Sequence, residues 1–333
     1  MHGWLILDKP VGLGSTRGVG AVKRALREGG YPKRKVGHGG TLDPLASGVL
    51  PIAVGEATKL AGRMLDASKV YDFTIRFGEE TDTLDVEGAV IATSGARPTR
   101  EQVEAVLPRF TGAIEQVPPA YSALKVDGRR AYDLARAGEA VALKTRNVTI
   151  HALSSSPERE GGPPRSGGGG GSPPGESLNG APLHQPLAGP PPRSGEDRLE
   201  SATLTAHVSK GTYIRSLARD IARALGTVGH VTMLRRTRAG SFGIESAISL
   251  DKLYASAKDR ALEDLFLPLR AGLDDIPALS LTSDQAGLLR QGRVVVGTAA
   301  DDGLCFAMLD DVPVALVEVR AGEIRVVRGF NMD

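Results

Sequence analysis

Between Pro157 and Gly195, 11 of 39 residues are glycine and 10 are proline, including GGGGG at 167–171. No packed element can be built from such a segment, because it buries too little apolar surface to offset its ordering entropy. The fold must therefore be assembled from the residues on either side. Strand and helix signals run to about Ser154, and the chain resumes at LESATLTAHVSKGTYIRS, where ATLTAHV alternates apolar and polar residues as a strand does. Loop closure costs rise only slowly with length. The tract, about 156–198, thus reads as a disordered expansion of a hairpin loop rather than a linker between domains.

The remainder is ordinary globular material. The chain has 333 residues, 41% apolar and 24% charged, enough for a well-packed core and two folded units. No run of 18 apolar residues occurs, and the N-terminal MHGWLILDKPVG lacks the basic region and cleavage site of a signal peptide. A cytoplasmic protein is the default, with no membrane association. The single cysteine, Cys305, rules out a disulfide framework, and the six histidines show no metal-ligand spacing.

The pattern predicts a buried strand at residues 3–8 and a helix from about Ser15 to Glu28, with Ser15 or Thr16 as N-cap and Gly29-Gly30 as the stop. GVLPIAVG is β-like, Pro51 marking an edge or a bulge, and EATKLAGRMLDA reads as a helix. KVYDFTIRFG alternates as a strand, and DTLDVEGAVIAT continues it through a turn. Thr99 caps a helix to about Leu107. A helix near 213–225 and a strand near 230–236 complete an α+β unit spanning 1–250. A helical connection over 251–276 leads to short β-like runs (RVVVG, LCFAMLD, VPVALVEV, EIRVVRGF), which suggest a small separate barrel or sandwich at 277–333. There is no internal repeat.

Two blocks are strongly basic. Residues 17–35 carry seven Lys/Arg against one Glu, and residues 210–238 carry seven against one Asp. On a chain of net charge +2 they suggest a one-sided positive surface of the kind phosphate backbones require, although a solvated helix face has the same composition.

Chemistry concentrates in GHGGTLDPLASGVLPIAVGEATK, residues 37–59. It is not a phosphate loop, for it lacks G-K-[ST], and KPVGLGSTRG does not fit G-x-G-x-x-G. Gly37, Gly39 and Gly40 permit backbone conformations and close approaches that a side chain would block. Pro44 biases Asp43 towards an extended conformation. The result is a carboxylate held at a fixed angle beside a core strand. It can act as nucleophile, general base or electrostatic stabiliser, or merely close an Asx-turn. Arg215, in KGTYIRS beside Tyr213, is a candidate cation to hold it.

These residues closely resemble the catalytic-aspartate motif of the TruB family of pseudouridine synthases. LDKPVGLGST resembles the family's N-terminal motif, and KVYDFTIRFGEETDTLDVEG its tyrosine-bearing strand. VPPAYSALKVDGRRAYDLARAG resembles its RNA-gripping thumb (about 120–146). KGTYIRSLARDIARALG and GHVTMLRRTRAGSF resemble its arginine motif and leucine-bearing strand. The segments recur in the family's order from residue 5 to about 245.

The resemblance implies a mixed, mostly antiparallel sheet flanked by helices, with a C-terminal β-rich segment that more weakly resembles a PUA-like RNA-binding domain. It implies isomerisation of the uridine at position 55 in the tRNA T-loop, with tRNA as partner, no cofactor, no obligate protein partner and a monomeric state. Asp43 would be the nucleophile, and Arg215 would pair with it. Tyr71 would stack on the flipped base and assist proton removal from C5. Tyr213 and Leu234 would line the uracil pocket, and His38 would hold the flipped arrangement. The basic blocks and the thumb would lean on tRNA phosphates.

The chain departs from the family at Gly14, where a hydroxyl residue is common, and in the Gly/Pro tract, which is expected to be dispensable for isomerisation. Guide-dependent relatives carry longer basic terminal extensions. A chain that starts two residues before its first strand and ends in NMD suggests the stand-alone bacterial type instead.

Overall fold

The computed structural model describes residues 1–122, 124–126, 128–138, 143–155 and 198–332. Strand β1 (Gly3–Lys9) is apolar on both faces because both are covered. Leu5 and Leu7 pack with Val22 and Leu26 of helix α1 (Ser15–Glu28), and Trp4 and Ile6 enter a second cluster on the opposite face. The N-cap of α1 is Gly14 rather than Ser15 or Thr16, because the Ser15 hydroxyl is turned inward onto Leu42 instead of closing its own helix. Strands β2 (Val36–His38) and β3 (Ser47–Val54) then pair antiparallel.

Pro51 lies inside the sheet, opposite Ile6, neither on an edge strand nor at a bulge. Its carbonyl accepts from Gly39 on the side away from β1, and its nitrogen faces the same side, so the missing N–H removes no β1–β3 bond. The helix predicted over 56–67 is split at Leu60 into a 3₁₀ turn (Gly55–Lys59) and helix α2 (Ala61–Asp66). The buried ammonium of Lys69 caps the end of α2 by donating to the carbonyls of Met64 and Leu65.

Next come strands β4 (Lys69–Phe77), β5 (Glu79–Thr81) and β6 (Val90–Thr93), helix α3 (Arg100–Val106) and strand β7 (Gly112–Gln116). The thumb region holds β8 (Lys125–Val126), β9 (Arg129–Arg130) and helix α4 (Ala131–Arg136). Strands β10 (Arg146–Ser155) and β11 (Ser201–Val208), helix α5 (Ile214–Ala224), and strands β12 (Gly229–Ala239) and β13 (Phe242–Gly243) complete the first sheet. Its order is β1-β3-β12-β4-β11-β10-β7, with β2 paired to β3 and β13 to β12. Every pairing is antiparallel except β3 with β12. The strands that flank the Gly/Pro tract, β10 and β11, are neighbours in register. The expected disorder of that tract falls on residues 156–197, outside the described residues.

Helix α6 (Leu250–Lys258) packs with α1. Strand β14 (Ala278–Ser280), helix α7 (Ser283–Arg290) and strands β15 (Val295–Val296), β16 (Gly303–Leu309), β17 (Val312–Arg320) and β18 (Glu323–Gly329) follow. They form one five-stranded sheet, ordered β14-β16-β17-β18-β15, with α7 against it, not a barrel or sandwich. Nor is it separate. Phe306, Met308, Leu316 and Phe330 share a buried cluster with Trp4, Ile6, Val49 and Phe242 of the first sheet. One face of the small sheet is closed by α7 and the other by the large sheet, so a second layer of its own is unnecessary.

Candidate active site

The loop between β2 and β3 carries Asp43, and its backbone is held carbonyl by carbonyl. Gly40 and Thr41 accept from the guanidinium of Arg236, both at 3.3 Å. Leu42 exchanges two bonds with the Ser15 hydroxyl, at 2.8 and 3.0 Å. The Asp43 carbonyl accepts from Ala46. That of Pro44 accepts from Gly12 N–H and from the Lys9 ammonium. Five consecutive carbonyls, 40–44, are thus pinned by groups from β1, α1, β12 and the loop itself. Lys9, Ser15 and Arg236 are all buried. Burial pushes the Lys9 ammonium down to about 8, against the attraction of the Asp43 charge. The glycines serve unequally. Gly40 needs its φ of +127°, and a Cβ on Gly39 would strike Met64, whereas Gly37 has open space. At Gly48 (φ +101°) a Cβ would collide with the Arg236 backbone, so only glycine lets β3 meet β12.

Arg215, in the first turn of α5, reaches back to this loop. Its Nη2 lies 3.0 Å from Asp43 Oδ2 and donates to the Tyr121 carbonyl. Its Nη1 lies 3.0 Å from Asp85 Oδ2 and donates to the Thr83 carbonyl. One planar fork thereby spans two carboxylates, a task that suits guanidinium geometry. The burial is asymmetric: side-chain exposure is 9% for Arg215 and 13% for Asp85 but 46% for Asp43. Asp85 is in turn held by Thr83 Oγ1 and the Glu87 N–H. It follows Leu84, a buried residue at φ +62°, a backbone strain of about 1–2 kcal/mol that this network maintains.

Asp43, Asp85, Arg215 and Leu234 line a cavity of about 140 Å³ together with the exposed Val11 and Val86. Leu234 stands opposite Phe73 in the β4–β12 register, and Tyr71 shares that face of β4, opposite Arg236. Tyr71 is half-buried against the core under α5 and does not line the cavity. Neither does Tyr213, although it senses both Asp43 and Arg215. Burial raises its phenol above the ordinary range, the Asp43 charge adds to this, and the Arg146 and Arg215 cations oppose it. His38 sits on β2, across from Ile52, with Nδ1 buried and unpartnered among the described residues. Burial and the Arg236 charge lower its imidazole below the usual value. A larger cleft of about 600 Å³ lies near α2 and β13, but Arg63 pairs there with Asp275, and Asp66 with Lys210.

The two basic blocks differ. On α1 and the turn after it, Arg17, Lys23, Arg24, Arg27, Lys33 and Lys35 are exposed. The block at 210–238 is not the free positive surface the sequence suggests. Lys210, Arg219, Arg223 and Arg235 pair with Asp66, Asp220, Glu80 and Asp8, Arg215 with Asp43 and Asp85, and Arg236 is buried on carbonyls. Apart from Asp220, the acids that neutralise it are scattered along the chain and invisible to a local charge count; Arg238 stays exposed, donating to the Gly240 carbonyl. No cluster suited to a metal ion occurs, and no helix is long and apolar enough to cross a membrane, among the described residues.

The model of the TruB family pseudouridylate synthase N-terminal domain matches residues 28–159, and that of the tRNA pseudouridylate synthase B C-terminal domain matches 215–274. A curated relative named tRNA pseudouridine synthase B, from Novosphingobium aromaticivorans, is 61% identical over 333 residues, covering 100% of this chain and 98% of its own. The chain belongs to the TruB family. A TruB-family relative of the same name from Zymomonas mobilis is 54% identical over 331 residues, covering 99% of this chain and 96% of its own. A chain in a solved H/ACA RNP bound to a substrate RNA containing 2'-deoxyuridine superposes with a TM-score of 0.65 at 22% identity, over 99% of this chain and 85% of that one. That likeness concerns the fold: a mixed sheet with helices and a C-terminal β-rich sheet.

Several contributors to this arrangement carry no local signal in the sequence. Asp85 sits in DTLDVEG as an ordinary turn acid, and nothing local says that its partner lies 130 residues away. In sequence, Ser15 has the pattern of a helix cap and Arg236 that of a basic surface, whereas both are buried against the Asp43 loop.

Proposed function

We propose that this chain isomerises uridine to pseudouridine in tRNA, at position 55 of the T-loop, with Asp43 as nucleophile. The observation that carries the proposal is the Asp43–Arg215–Asp85 bridge, whose only half-exposed carboxylate opens onto a cavity. The reaction breaks the bond from ribose C1' to uracil N1, turns the base, and forms a bond from C1' to C5. The C5 proton leaves and N1 gains one, so atoms balance without oxidant or group donor.

A base inside a folded RNA loop must be extruded before its glycosidic bond can be reached. The apolar face of Leu234, on the cavity wall, suits the extruded ring; stacking on that ring and proton removal from C5 are assigned by the family resemblance to Tyr71, which lies outside the cavity on the neighbouring strand β4. The family resemblance assigns Tyr213 to the uracil pocket beside Leu234 and His38 to holding the flipped nucleotide. Arg215 orients the Asp43 carboxylate for attack. When Asp43 becomes bonded to the nucleotide and loses its charge, Arg215 stays paired with Asp85, so no buried cation is left uncompensated. This permits the carboxylate to leave its partner without a large electrostatic penalty. The exposed cations of α1 suit contacts with phosphates, which position an RNA without reading its sequence.

The test is to incubate an unmodified tRNA transcript with the wild-type protein and map pseudouridine along it. Conversion of one T-loop uridine, abolished when that uridine is replaced by cytidine, is the expected result. Conversion elsewhere in the tRNA would overturn the T-loop assignment, and tight binding with no conversion would point to an RNA-binding role.

A further inference from the structure

Helix α5 has to begin at the right residue, because Arg215 lies only two positions beyond its N-cap, Tyr213. A one-residue change in where the helix starts would swing the guanidinium away from Asp43 and Asp85. Local sequence does not fix that start. Tyr213 gives no side-chain cap, and the N3 position, where a Glu or Gln would complete a capping box, is Ser216, whose buried hydroxyl has no partner among the described residues. The missing function is supplied from 97 residues away. Gln116 accepts from the Tyr213 N–H at 2.8 Å through Oε1 and donates from Nε2 to the Tyr213 carbonyl at 3.1 Å. Its side-chain amide thereby saturates both backbone groups of the N-cap, and Gln116 is only 2% exposed.

Resting on the reading of the site above, we propose that Gln116 is a positioning residue for the reaction: its amide fixes the start of α5, and so the place where Arg215 spans Asp43 and Asp85. The location of Gln116 extends the argument. It is the last residue of edge strand β7, where the chain leaves the sheet for the thumb. Immediately after it, the Val117 carbonyl accepts from Arg219 and the Tyr121 carbonyl from Arg215, both of α5. The thumb root and the first two turns of α5 are therefore one unit, with Gln116 as its fastening to the sheet. A displacement of the thumb root is felt at the Asp43 carboxylate.

The experiment replaces Gln116 with Leu, which keeps the volume and removes both bonds, and measures single-turnover conversion at saturating protein alongside tRNA affinity at fixed salt. Gln116→Leu is expected to slow conversion by about 10- to 100-fold while the dissociation constant stays within about threefold. Should that variant fail to fold, Gln116→Glu keeps the acceptor and loses the donor, and it is expected to slow conversion at least about tenfold with affinity retained. A folded variant that turns over at the wild-type rate, or one whose rate and affinity fall together, overturns the proposal. If wild type itself converts no tRNA, the functional reading fails separately. A Gln116→Leu crystal structure then decides the positioning claim, which stands if Arg215 no longer spans both carboxylates and falls if the bridge is unchanged.

Discussion

The character of Asp43 comes from what holds it, more than from its own side chain. One cation serves it and the more buried Asp85, so the two acids cannot be treated independently. Arg215→Lys retains the charge but not the fork, and a single ammonium cannot reach both carboxylates in plane. Conversion is expected to fall by about 100-fold, with tRNA affinity within a few-fold of wild type, in the same single-turnover and binding assays. A second residue-scale prediction concerns acid stability. Burial and Arg236 lower the imidazole of His38, and burial and the His151 charge lower that of His207. Both groups take up protons more readily in the unfolded chain, so their contribution to stability is complete above about pH 6.5 and is lost as pH falls below it. The midpoint of thermal unfolding should drop between pH 7 and pH 5.5, and His38→Gln should flatten part of that slope. An unchanged slope would assign the acid sensitivity to other groups.

At the scale of elements, sequence reasoning succeeded where the signal was local and failed where a distant partner took over. Helix α3 is the clean success. Thr99 and Gln102 form a complete capping box within four residues, so its start is written where it occurs. Thr99→Ala should cost about 1 kcal/mol, seen as a lower denaturant midpoint with an unchanged slope. Helices α1 and α5 show the other outcome. The hydroxyl at the start of α1 serves Leu42, and the start of α5 is set by Gln116, so neither cap was readable from its own segment. Strand periodicity located β4, β11 and β12 well, but not the irregularity of β12 near Thr232 that sets Leu234 opposite Phe73. The Asp43 loop was legible as a rigid device from its glycines and proline, yet the donors that rigidify it come from three other elements. A single sequence carries no record of those meetings.

For the whole molecule, the shared cluster of Trp4, Ile6, Phe242, Phe306, Leu316 and Phe330 makes the C-terminal sheet part of the support for β1 and β3. Composition alone suggested an independent module, because a contact between sheets leaves no local signature. Phe306→Ala should cost about 3–5 kcal/mol and lower the stability of the first sheet as well, giving one cooperative transition by probes in both sheets. Separate transitions would show that the two sheets unfold independently. All of this architecture converges on a single carboxylate, and the claim that Asp43 carries out the chemistry has a direct test. In tRNA labelled with tritium at uridine C5, each isomerisation exchanges one C5–H bond for a C1'–C5 bond and releases one tritium to water. Wild-type protein should release one tritium per tRNA molecule, from the single T-loop uridine it converts, while Asp43→Asn binds the same tRNA with comparable affinity and releases none. Tritium release by Asp43→Asn at a rate near that of wild type would contradict the account.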